Sequence, residues 1–251
     1  MAKQFKQAPL PFTGQKRMFL KHFTQVLNDN IEGNGKGWTI IDVFGGSGLL
    51  SHVAKRLKPK AKVIYNDFDG YAERLNHITE TNQLREILYH SVSEIIPKNK
   101  LISKQAKEEI INKIKAFNGY KDVNCLSSWL LFSGQQVGSL DELFKQRFYN
   151  CIRQSDYTLA EGYLDGLEVI SESFHQLLPR FRDKEKVLLI LDAEKRMMAN
   201  EKIAEELKKI KLTEEQKQHK SKQKKWLKII PSKANLFSLF LWHRQNRQNH
   251  R

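Results

Sequence analysis

The sequence predicts an α/β protein: a parallel sheet of the doubly wound type, a mainly helical subdomain inserted into it, and a C-terminal part of the sheet that is incomplete. Three observations carry this. Trp38–Phe44 (WTIIDVF) is a short, β-branched run that gives way to the glycine turn Gly45–Gly48, a helical segment and a second short strand. Lys186–Asp192 (KVLLILD) repeats the pattern, a near-continuous apolar run with an acid at its carboxyl end, as a strand buried on both faces of a parallel sheet requires. Between them lies a long stretch whose apolar residues recur mostly at helical spacing.

The elements follow in order. Pro9, Pro11 and Gly14 punctuate the first residues. From Lys16 to Leu27, Phe19, Leu20, Phe23 and Leu27 recur with the period of a helix. Gly33, Gly35 and Gly37 make a turn before the first strand. Leu49–Leu57 reads as a helix stopped near Pro59, and Lys62–Tyr65 (KVIY) as a strand ended by Asn66 and Asp67. Strand, glycine turn, helix, strand is the opening unit of a doubly wound sheet. Helices are then predicted over Tyr71–Tyr89, Ser103–Phe117 and Thr158–Leu178, with loops at Asn118–Asn124 and Ser133–Ser139. After the return strand come a polar helical segment, Glu194–Leu212, a lysine-rich run, Lys217–Lys228, and one further candidate strand, Leu236–Leu241. The expected organisation is a ligand-binding part over residues 1–81, a helical insertion over 82–179, the return strand over 180–192, and a basic helical or disordered tail over 193–251.

Composition limits the function classes. With 40% hydrophobic and 28% charged residues over 251 positions, the chain can build a core, and wholesale disorder is excluded. Cys125 and Cys151 are too few for a disulfide framework and have no metal-site spacing around them. The first residues lack the apolar centre of a signal peptide. The longest apolar candidate, Leu236–Trp242, falls far short of the ~18 residues of a membrane span. The expectation is a soluble cytoplasmic protein. Its net charge of +15 points to a polyanion partner, but that charge is uneven. Residues 1–192 carry 27 basic and 22 acidic side chains, and residues 193–251 carry 16 and 6. Such a block is either a solvated tail or a surface that gains affinity for phosphates by releasing counterions; composition does not separate the two.

The chemistry gathers where the first two strands end. Ligands of open parallel sheets lie at the carboxyl ends of the strands. The turn Gly45-Gly46-Ser47-Gly48 lets backbone approach a ligand closely. About twenty residues on, Asp67 ends the second strand, where a carboxylate accepts hydrogen bonds from ribose hydroxyls. The pair implies an adenosine-type ligand. The spacing is not GxGxxG, and without a GxxxxGK[ST] segment a phosphate-binding P-loop is excluded.

Three segments, PFTGQKRMF (Pro11–Phe19), IIDVFGGSGLLS (Ile40–Ser51) and YNDFD (Tyr65–Asp69), resemble in order and spacing the Dam-type DNA adenine-specific methyltransferases, a likeness that extends over residues 9–192. It implies a Rossmann-like methyltransferase fold, S-adenosylmethionine as cofactor, double-stranded DNA as partner, and methyl transfer to the N6 amino group of adenine, as in DNA methylation and restriction-modification. By this resemblance Phe12 and Lys16 close over the cofactor from the N-terminal loop. Asp42, Phe44, Gly45, Gly46 and Gly48 pass beneath its methionine portion. Asp67 holds the ribose hydroxyls, with Phe68 beside the adenine ring. The insertion becomes a target-recognition subdomain, with Lys113, Lys115, Tyr120, Lys121, Trp129, Arg147 and Tyr149 as candidates to contact phosphate or bases.

One part of the family pattern is absent. A member carries [D/N]PP[Y/F/W] after the return strand: the acid and a backbone carbonyl orient the amino group of a flipped adenine, the prolines stiffen the loop, and the aromatic ring stacks on the base. Here Asp192 stands in the place of the acid, as the candidate catalytic residue and a further cofactor contact, but Ala193, Glu194 and Lys195 follow it, and no two prolines are adjacent anywhere. Misplacing even one positioning group costs ~10²-fold in rate. The chain as it stands is therefore expected to be impaired or inactive in methyl transfer. Two alternatives stay open: a non-catalytic relative that binds S-adenosylmethionine or DNA, and a truncated or frameshifted remnant of such an enzyme.

Overall fold

The apolar runs singled out in the sequence form the middle of one sheet. In the computed structural model, residues 4–93, 95–182 and 184–191 are described, together with the backbone of 240–243. The strands are β1 (Thr39–Asp42), β2 (Lys62–Asn66), β3 (Leu167–Ile170), β4 (Val187–Leu191) and β5 (Phe240–His243), in the order β3-β2-β1-β4-β5. The first four run parallel and β5 pairs antiparallel with β4. The helices are α1 (Leu20–Asn30), α2 (Leu49–Leu57), α3 (Tyr71–Asn76), α4 (Ile78–Val92), α5 (Lys104–Ala116), α6 (Val123–Leu130), α7 (Leu140–Lys145) and α8 (Phe174–Leu177). Contacts gather into two compact units. The first takes in the described residues up to Gln7, Gln15–Tyr71, and those from Gly162 on; the second takes in Ala8–Gly14 and the described residues of Ala72–Glu161.

Within the first unit, strand alternation builds both faces of the sheet. Ile40, Val63, Leu188 and Ile190 face one way, into a cluster with Phe23, Leu27, Leu50 and Val53 of α1 and α2. Ile41, Ile64, Leu189 and Leu191 face the other, against Leu177, Leu178 and Phe181. All five residues of β4 are buried, which is why that run shows no polar alternation. This is the Rossmann-like α/β architecture predicted from sequence, a four-stranded parallel sheet flanked by helices. The chain runs outward from β1 to β2 and β3, then returns beside β1 as β4. Ligand crevices of such sheets open where the strand order reverses.

In the second unit, α5 begins with the Ser103 side chain accepting from the Ala106 N–H, and α6 with Asp122 accepting from the Cys125 N–H. Both are N-caps of the expected chemistry.

Three local expectations are corrected. The helix predicted over Thr158–Leu178 does not form. Gly162 and Gly166 adopt positive φ, Leu167–Ile170 is extended as β3 along β2, and α-helix is confined there to Phe174–Leu177, followed by a 3-10 turn from Leu178. Tyr71–Tyr89 is not continuous: α3 and α4 part at His77, with φ −107° and ψ 21°. The predicted loop Asn118–Asn124 ends early, because the Asp122 cap starts α6 at Val123. Lys217–Lys228, Glu194–Leu212 and Asp192 lie outside the described residues. Among those described, no helix is long and apolar enough to cross a membrane, and no group of three or more His, Cys, Asp or Glu side chains is arranged to hold a metal.

Candidate functional site

The site is built on the turn after β1. The Val43 N–H still pairs with the Ile190 carbonyl of β4, after which Phe44–Gly48 leave the sheet at the point where the strand order reverses. Gly48 sits in the left-handed region at φ 70° and is the N-cap of α2. It offers no side chain to the helix, so the first-turn N–H groups are presented to whatever lies over the turn. Gly45 answers a different constraint. A Cβ there would lie 2.3 Å from the ring of Tyr65, which packs beneath the turn.

Buried polar groups converge on the same edge. Asp42 is buried, and its Oδ2 accepts from the Ser51 hydroxyl of α2 at 2.8 Å. Asn66 ties three strand ends together: its Nδ2 donates to the carbonyls of Val43 and Glu172, and its Oδ1 accepts from the Glu172 N–H, each at 2.9 Å. The Asp67 N–H donates to the Ile170 carbonyl at 2.7 Å. Its Oδ1 accepts from the Tyr71 N–H at 2.7 Å and lies 3.0 Å from the Tyr65 hydroxyl, which is also 2.6 Å from the Gly46 carbonyl. Burial, and then the negative charge of Asp67, push the Tyr65 phenol far above its ordinary range, so it stays a proton donor. Beside this packed group Phe68 is 70% exposed, an apolar ring left open at the end of β2.

A second set of residues braces the turn from behind. The Tyr163 hydroxyl donates to the Ser47 carbonyl at 2.9 Å. Its ring stacks on His52 of α2, with centroids 4.8 Å apart and planes 9° apart. His52 is buried and bonded at both nitrogens: Nδ1 lies 2.7 Å from the Tyr163 carbonyl, and Nε2 accepts from the Phe5 N–H at 2.9 Å. An imidazole that accepts at Nε2 must donate at Nδ1, so it is neutral. Burial, the largest cause, lowers its pKa accordingly.

Among the residues singled out in the sequence, Asp42, Phe44, Gly45, Gly46, Gly48 and Asp67 are brought to one edge of the sheet. Phe44 is half-buried with its ring against Phe174, centroids 5.7 Å apart. Lys16 is half-buried, and its carbonyl accepts the Phe19 N–H at the start of the short turn Arg17–Phe19. Phe12 belongs to the second unit and Lys16 to the first. In the second unit Trp129 is withdrawn from any contact role: it is buried, and its Nε1 donates to the Tyr157 hydroxyl at 3.0 Å. Lys121 Nζ caps the Phe117 carbonyl at 2.6 Å, and Arg147 is exposed. Sequence reasoning did not single out Tyr65, Asn66, Ser51, His52 and Tyr163 as site-building residues. Tyr65 and Asn66 stand inside the YNDFD segment and were within reach, since strand ends of parallel sheets carry the site. Tyr163 and His52 meet across 111 positions, for which the sequence has no local signal.

The donor set suits an adenosine-type ligand. A buried carboxylate suits ribose hydroxyls, an exposed aromatic ring suits a purine, and uncapped amides at a helix start suit a carboxylate. Comparison with known proteins finds this chain similar to a Haemophilus influenzae protein named "Putative methyltransferase", with 71% identity over 190 residues. That stretch is 76% of this chain and 64% of the relative, so the chain spans under two-thirds of the length of the protein it matches. No family model and no solved structure matches the chain.

Proposed function

We propose that the first unit binds S-adenosylmethionine across the Phe44–Gly48 turn and Asp67, and that the chain is organised as a DNA adenine-specific methyltransferase whose transfer step is impaired. The observation that carries this is the juxtaposition of the turn and the acid at the ends of neighbouring parallel strands, in register at Asp42 and Tyr65. The name of the similar protein supports methyl transfer in general; the motif order supports adenine in double-stranded DNA.

In this reading the cofactor supplies a methyl group on a positively charged sulfur. Asp67 accepts from its ribose hydroxyls, Phe68 covers its purine, and the first-turn amides of α2 receive its carboxylate. Asp42, held by Ser51, supports the turn from below. Lys16, in the same unit, supplies part of the cover. The acceptor would be an adenine flipped from the duplex, presented after β4 near Asp192. Lacking the paired prolines and the stacking aromatic ring there, the chain binds cofactor without efficient turnover.

Titration calorimetry of the full chain with S-adenosylhomocysteine tests this. We expect binding, weakened at least tenfold by Asp67→Ala, since a hydrogen bond to a charged group is worth about 1.5–3 kcal/mol. Labelled S-adenosylmethionine with unmethylated duplex DNA should give transfer near background. Absence of binding sinks the cofactor assignment, and rapid transfer sinks the impairment. A remnant of a shifted reading frame is a second reading, favoured by the change in charge after Asp192; a Pro-Pro-aromatic triplet in another frame of the encoding DNA just past that codon would support it, and its absence would end it.

A further inference from the structure

Tyr65 touches both halves of the site. Its ring lies under the turn, 2.3 and 2.4 Å from where a Cβ on Gly45 would fall and 3.2 Å from one on Gly48. Its hydroxyl lies 2.6 Å from the Gly46 carbonyl and 3.0 Å from Asp67 Oδ1. The side chain is fully buried, where filling the core asks only for a ring. The hydroxyl therefore has to be explained by what it reaches. A phenol has one proton, shared here between a backbone carbonyl of the turn and the carboxylate that ends the next strand. With the Tyr71 N–H on the same oxygen at 2.7 Å, it also fixes the rotation of that carboxylate.

Resting on the cofactor reading above, we infer that Tyr65 is the positioning residue that couples the two halves of the site, setting the distance and orientation of the Asp67 carboxylate relative to the Gly46–Gly48 backbone. A ligand that spans both halves then meets a spacing already set, and so loses less in ordering on binding. A ring without the hydroxyl would fill the same volume but leave the Gly46 carbonyl and Asp67 Oδ1 short of a donor.

The test is a double-variant cycle on the full chain, with S-adenosylhomocysteine as probe and Tyr65→Phe, Asp67→Asn and their combination as variants. Tyr65→Phe should weaken binding about tenfold. If Tyr65 acts through Asp67, the combined variant should bind within about twofold of Asp67→Asn alone, because coupled residues do not add. A purely structural Tyr65 would instead give losses that multiply. Multiplying losses, or Tyr65→Phe binding like the wild type, overturns the inference while leaving the cofactor reading intact. Failure of the wild-type chain to bind overturns both. Should Tyr65→Phe melt below the assay temperature, Gly45→Ala displaces the same ring and should reproduce the loss; unchanged affinity in that variant counts against the coupling.

Discussion

The two units spend their buried polar groups differently. In the second, buried charge fastens the chain to itself. Arg74 pairs with Asp122 at 2.8 Å, the two side chains 6% and 1% exposed, and also donates to the Pro11 carbonyl. Arg85 gathers the carboxylate of Asp156 and the carbonyls of Arg153 and Gln154, and Asn150 holds the Ile96 carbonyl. In the first, Lys58 also fastens, its Nζ donating to the Ile31 and Gly33 carbonyls, but Asp42, Asn66, Tyr65 and Asp67 crowd one edge of the sheet. These four cross-brace the strand ends where a ligand belongs. Buried polarity that only fastens tells of stability; buried polarity gathered at strand ends tells of a site.

This contrast can be broken by experiment. The largest effect is expected in the second unit. Arg74→Met leaves Asp122 buried without its cation, and breaking such a pair costs about 3–5 kcal/mol. Denaturant unfolding should show it, and a loss below about 1 kcal/mol would mean the pair does not fasten the unit. Next is Gly45→Ala in the first unit. The Cβ must push the Tyr65 ring aside, and overpacking of that kind costs about 1–3 kcal/mol. Affinity for S-adenosylhomocysteine should fall together with the melting temperature. If stability alone falls, the ring supports the fold and not the site.

The smallest effect is a pH dependence that separates the units by sign. His52, buried and neutral, titrates below its ordinary value of 6.5. The unfolded chain thus takes up a proton before the folded one does, so this stabilisation is complete above about pH 6.5 and is lost as pH falls below it. His77, in the second unit, lies between Glu73 and Glu80 at 3.0 and 3.1 Å, and the hydrogen bond to Glu73 raises its pKa. Its contribution is present below 6.5 and lost as pH rises through the raised value. Unfolding measured from about pH 5 to 7 should slope by at most about 1.4 kcal/mol per pH unit for one proton. His52→Gln should remove the decline on the acid side; an unchanged slope would show that His52 does not titrate with folding.

Much of the first unit was legible because its signals are local. Leu49–Leu57 is helical over the whole predicted span, since apolar periodicity and the flanking glycine and proline specify both ends. β1, β2 and β4 were legible from β-branched runs closed by glycine or acid. β3 was not. Its two central residues, Glu168 and Val169, are exposed, so no burial pattern marks it. Its extended form comes from pairing with β2, about a hundred residues earlier. Trp129 was open for the same reason: an aromatic ring reads alike on a surface and in a core until its neighbours are known.

The sequence by itself determined the parallel α/β plan, the glycine turn and the acid after the second strand, because each is written in adjacent residues. It also determined that paired prolines are missing after Asp192. Tertiary structure alone decided that Gly45 answers to Tyr65, that one phenolic proton lies between the turn and Asp67, and that Phe12 and Lys16, four positions apart, belong to different units. Such facts depend on strand register and chain crossing, which bring distant residues together and have no periodicity along the chain.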